Sequence, residues 1–240
     1  MSNTALYTGE LDTARRVAVA LADEAEATGD RYVWTMGAIA DVLALLYGGD
    51  VAAARAGMDR IAPQRPDTPT CKAWVAYTEG EIASFEGRVS EAVSAFDEAI
   101  ASARELDARF VMGVAEVSRL AALVRHGDLV RASNTLVDAL GRYRQIRNHS
   151  HAVTALRNVV VLLTRAGHSE AAMKIAGAVG HDASATYGVE VDELADAVGA
   201  ATAEHGETEV NGWISEGTGR DTAWALDLAI GALADVAAAT

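Results

Sequence analysis

The chain has 240 residues, half of them hydrophobic and 22% charged, with only 3 prolines, a composition that folds; 51 alanines and a 5% aromatic share leave too few β-formers for a large sheet and favour helix. With 20 basic against 34 acidic residues the formal charge is −14, which repels phosphate backbones and argues against direct nucleic-acid binding by this segment, and the single cysteine, Cys71, excludes an internal disulfide framework or a cysteine-based zinc site. No apolar run approaches the roughly 18 residues a membrane span needs, and the opening MSNTALYTGELDTARR is not a signal peptide, so the expected place is the cytoplasm, with no membrane contact.

Five glycines punctuate the chain: Gly9, Gly49, Gly87, Gly127 and Gly167, separated by 40, 38, 40 and 40 residues. Five residues after each stands an alanine, Ala14, Ala54, Ala92, Ala132 and Ala172. The stretches on both sides carry apolar residues at three- and four-residue steps, the signature of a helix with one buried face. Such a glycine supplies the left-handed backbone angle that ends one helix. A nearby Asp50, Asp128 or Ser169 is placed to cap the next, and the alanine one turn further on lets two helices approach closely. Each unit is therefore a helical hairpin with a period of about 39 residues, which must stack on its neighbours to bury its apolar faces.

In chain order, the first hairpin has only eight residues before Gly9, which suggests a segment of a longer chain or an end covered by a partner. Gly29–Asp30 separates the next two helices. All three prolines fall in one linker, Ala62 to Thr70, where Thr68–Pro69 reads as an N-cap followed by the first helical position. Weaker breaks lie near Ala108, Asn148 and His181 to Gly188. About twelve helices follow, with no strand needed. The domain expectation is a repeat array over residues 1–181 and a divergent C-terminal helical cap over 182–240, packed on that array.

The chemistry-bearing residues point to no reaction. His149 and His151 project about 200° apart on a helix and cannot share a metal, and the abundant carboxylates read as a solvated acidic face. There is no Gly-Lys pair for a phosphate-cradling loop. The expectation is a protein that is not an enzyme, with no catalytic residues, no metal and no cofactor. Tryptophan is more informative: Trp34 and Trp74 stand 40 apart near the start of successive first helices.

The turn glycine, the alanine five residues on and Gly80, seven before a turn, resemble the tetratricopeptide repeat, although these units are longer and lack its terminal proline. The last third resembles the closing segment of actinobacterial regulators of the LuxR-type and adenylate-cyclase-associated ATPase group. The matching pieces are Ala171–Val179, the Trp213-Ile214-Ser215-Glu216-Gly217 turn and the helix Thr222–Leu233. The resemblance implies an all-α, right-handed α-solenoid of tetratricopeptide-like hairpins. It also implies an interaction or sensor module of a transcriptional or signalling regulator. Its usual groove positions map onto Trp74, Tyr77, Glu81 and Ser84 in one first helix and onto Thr154, Arg157 and Val161 in a later one. Tyr77 and Arg157 are the expected anchors for a partner protein or peptide on the concave face. The alternative is a small-molecule effector in a pocket inside the superhelix, similar in kind to the maltose-type regulators.

Overall fold

The computed structural model describes residues 5–6, 9–126, 129–180 and 189–239. Among them lie twelve α-helices and no strand. They are α1 (Leu11–Thr28), α2 (Arg31–Tyr47), α3 (Val51–Ile61), α4 (Pro69–Phe85), α5 (Val89–Glu105), α6 (Arg109–His126), α7 (Leu129–Gln145), α8 (His149–Arg165), α9 (Ser169–Val179), α10 (Val189–His205), α11 (Glu207–Gly217) and α12 (Thr222–Ala238). None of the described helices is long and apolar enough to cross a membrane.

The turns have the geometry that the glycine spacing predicts. Gly9, Gly49, Gly87 and Gly167 adopt φ of 80°, 90°, 73° and 79°, a region that costs an L side chain energy because its Cβ crowds the backbone. Gly127 lies outside the described residues. The alanines five residues on, Ala14, Ala54, Ala92, Ala132 and Ala172, are all buried. A second set of left-handed residues sits between hairpins: Gly29 (φ 75°), Asp107 (φ 50°) and Arg147 (φ 54°). Gly9, Gly29 and Gly49 stand twenty apart, as do Gly87 and Asp107, and Arg147 and Gly167. The underlying rhythm is thus a single helix plus a tight turn, and glycine marks most of the turns.

Five helix starts follow short polar side chains. Asp30, Asp50, Asn148 and Asp221 accept the N–H three residues on, at the heads of α2, α3, α8 and α12. Thr68 does the same for α4, with Pro69 as its first residue. Each such cap is worth about 1 kcal/mol. Of the other expected caps, Asp128 lies outside the described residues. Ser169 does not cap: it is the first residue of α9, His168 occupies the cap position, and neither side chain closes the helix.

Contact density divides the described residues into two compact units, one up to Arg119 and one from Leu120 on. The boundary read from the repeat punctuation, 181/182, falls in a stretch outside the described residues.

In the first unit, helices pack on their neighbours in sequence: α1 on α2, α2 on α3 and α4, α3 on α4, and α4 on α5. Glycine decides how close they come. A Cβ on Gly80 of α4 would lie 2.6 Å from the Phe96 ring, so the ring of α5 fills the space the glycine leaves. In α2 and α3 the sizes are exchanged, because a Val42 methyl of α2 occupies the space above Gly57 of α3. The same hairpin crossing is therefore solved twice, with the larger partner on opposite helices. Arg55 of α3 ties this packing to α4, reaching Glu79 at 2.6 Å and Glu86 at 2.9 Å. The hydrogen bond from Arg55, more than that from Arg88, holds the Glu86 carboxyl below the usual carboxylate range against the opposing effect of burial.

In the second unit α8 packs on α7, α9, α10 and α12, and α9 packs on α11 as well as on α12. The last helix, α12, lies against α7, α8 and α9 together. Helices α9 and α11 cross at backbone contact. A Cβ on Gly177 would fall inside the Ile214 carbonyl, and one on Gly217 inside the Lys174 carbonyl. Two of the segments quoted above for the regulator resemblance, Ala171–Val179 and Trp213–Gly217, are the two sides of this crossing.

Candidate functional site

The residues expected to form a groove fall in both units, and each set is described where it lies. On α4, Trp74, Tyr77, Glu81 and Ser84 share one face, as steps of three and four require. Tyr77 is 1% exposed, and Glu81 and Ser84 are also buried. The Tyr77 hydroxyl is 2.8 Å from the hydroxyl of Tyr47 on α2, so the two phenols share one hydrogen bond inside the first unit. Trp74 is only partly buried. It meets Tyr77 edge-on at 5.8 Å and the ring of Phe110, at the start of α6, at 6.1 Å. Phe110 itself is 50% exposed.

These rings form a continuous series from surface to core: Phe110, Trp74, Tyr77, then Phe96 at 6.1 Å. Each ring pair contributes about 1 kcal/mol beyond its buried area. The outer end of the series offers a large apolar surface on a rigid base, and Phe110 is the residue of it that repeat mapping missed. The signal in the sequence was an aromatic one position after the start of a first helix, as at Tyr32, which is 43% exposed.

Trp34 is the fourth residue of α2 and Trp74 the sixth of α4, so both stand near the starts of two first helices that pack side by side. The Arg31 guanidinium lies 5.5 Å from the Trp34 ring centroid and donates to the Gln64 carbonyl at 3.1 Å. Trp34 also lines a cleft of about 510 Å³ with Asp23, Glu26, Arg31 and Asp41. The charged lining of this cleft is mixed, with Arg60 beside Arg31 facing the three carboxylates and Asp41 paired with Arg15 at 3.0 Å.

On α8 of the second unit, Thr154 is partly buried and donates to the Ser150 carbonyl at 3.1 Å. Arg157 is 5% exposed. Tyr77 and Arg157, the two anchors expected at the surface, are both interior residues. Val161 lines a cleft of about 360 Å³ with Arg125, Arg165, Glu193 and Asp196, in which Arg125 pairs with Glu193. Among the described residues no three His, Cys, Asp or Glu side chains come together as a metal site. Cys71 is a buried free thiol.

Comparison with protein-family models, with curated proteins and with solved structures yields no match.

Proposed function

We propose that the chain is a non-enzymatic helical-repeat module, a right-handed α-solenoid of tetratricopeptide-like hairpins, that binds an extended segment of a partner protein. The observation that carries this reading is the aromatic series ending at half-exposed Phe110. It is supported by the recurrence of tryptophan at Trp34 and Trp74 on packed first helices. Exposed aromatics on a rigid base are common binding anchors.

The likeness of the hairpins and of the closing segment to LuxR-type and adenylate-cyclase-associated regulators supports a place in a cytoplasmic transcriptional or signalling regulator. In that setting a bound segment biases the packing angle between neighbouring hairpins, and the bias is passed to an attached domain.

The test is selection of binders from a displayed random-peptide library, followed by fluorescence anisotropy on Phe110→Ala and Trp74→Ala variants. Selected peptides are expected to bind Phe110→Ala at least about tenfold more weakly, while its thermal midpoint stays near that of the parent. Peptides that bind the variant as well as the parent, or a selection that returns none, would overturn the reading.

A further inference from the structure

Helix α9, like α1, α5 and α11, begins without a side-chain cap. Its cap residue, His168, supplies no side-chain acceptor, so the first three N–H groups, of Ser169, Glu170 and Ala171, have no acceptor within the helix. Ser169 is 2% exposed, and its Oγ has no hydrogen-bond partner. A buried hydroxyl left this way carries an uncompensated desolvation cost. Ser169, Glu170 and Ala171 line one cleft of about 470 Å³, whose other walls include Lys174, His205, Glu209, Trp213 and Leu228. The Trp213 ring is braced edge-on by His205 at 5.1 Å.

The charges around the cleft select the occupant. The helix terminus carries a partial positive charge and N–H donors suited to a carboxylate. The side chains tip the other way, since Lys174 is held between Glu170 at 2.7 Å and Glu216 at 2.6 Å, and Glu209 adds a further negative charge. A plain anion would meet this acidic wall, and a plain cation would meet the helix terminus. A molecule that carries both charges on one carbon satisfies both.

From this geometry we infer that the cleft binds a free α-amino acid with an apolar side chain. Its carboxylate is received by the α9 N–H groups and the Ser169 hydroxyl, its ammonium by Glu209, and its side chain by Trp213 and Leu228. The cleft has room for a side chain as large as that of leucine or phenylalanine. The site lies wholly in the second unit and does not depend on the peptide reading, whose residues Trp74 and Phe110 belong to the first.

The experiment is an NMR titration of the whole chain with L-phenylalanine and L-leucine, following the Ser169, Glu170 and Ala171 amides and the Trp213 indole N–H. Controls are leucinamide, which lacks the carboxylate, and N-acetyl-L-leucine, which lacks the ammonium. Saturable shifts with the free amino acids are expected, with both controls at least about tenfold weaker. His168→Asp places a capping carboxylate where the ligand carboxylate would sit. It should abolish binding while leaving the thermal midpoint equal or higher, which separates loss of the site from loss of the fold. Glu209→Gln should weaken the free amino acids and leave N-acetyl-L-leucine unchanged. Absence of saturable shifts up to about 20 mM, equal binding of N-acetyl-L-leucine, or undiminished binding by His168→Asp would each overturn the assignment.

Discussion

In the first unit, polar contacts between helices join residues close in sequence: Arg15 with Asp41, 26 apart, Arg55 with Glu86, 31 apart, and Arg119 with Asp97, 22 apart. In the second, Arg144 meets Asp227, 83 residues on, because α12 returns to cover α7, α8 and α9. The first unit follows the nearest-neighbour rule of stacked hairpins, in which each interface adds its own share of stability. The second is closed by its last helix, so many interfaces depend on one element. Damage should therefore stay local in the first unit and spread in the second, and longer-range contacts should make the second slower to form.

The largest test of that contrast is Gly217→Ala. The added methyl would overlap the Lys174 carbonyl, and neither backbone can give way without parting α9 from α11. A cost of about 3 kcal/mol or more is expected, at the top of the overpacking range. Native-state hydrogen exchange should show protection falling together across α7 to α12 while α1 to α5 keep theirs. A loss confined to α11 would break the comparison.

Gly80→Ala is the matching change in the first unit. Here the obstacle is the Phe96 ring, a side chain that can move, so the expected cost is smaller, about 1–2 kcal/mol. Adding Phe96→Leu should return part of it, with a coupling of about 1 kcal/mol in a double-mutant cycle. Denaturant melts of the four chains measure this. Strict additivity would show that the ring does not fill the space above Gly80.

Much of the local order was legible in the residues. The spacing of Gly9, Gly49, Gly87 and Gly167 announced left-handed turns, and the alanines five residues on announced close helix contacts, because both features depend on backbone sterics that a single residue reveals. The turns at Asp107 and Arg147 were visible only as weak breaks, since no glycine marks them. The return of α12 was not legible, because an apolar stripe shows which face is hidden and not what hides it. The same limit explains the groove residues. Steps of three and four placed Trp74, Tyr77, Glu81 and Ser84 correctly on one face of α4, yet nothing local distinguishes a ring turned to solvent, as Phe110 is, from one enclosed beside Tyr47.

The smallest effect tests the rhythm common to both units. Arg147 is exposed and holds φ 54° without a glycine's freedom, a strain of about 1–2 kcal/mol. Arg147→Gly removes that strain but loosens the unfolded chain, which takes back about 0.4–1 kcal/mol. The balance is a stabilisation of about 0.5 kcal/mol, a small rise in thermal midpoint. Asp107→Gly should give no such rise. Asp tolerates the left-handed region better than arginine, and its carboxylate also meets the Arg109 guanidinium at 3.1 Å. If both variants gain equally, the two turns are alike in strain and the carboxylate at 107 contributes nothing. If only Arg147→Gly gains, the twenty-residue rhythm is imposed by helix packing strongly enough to hold an arginine in a conformation it would otherwise leave.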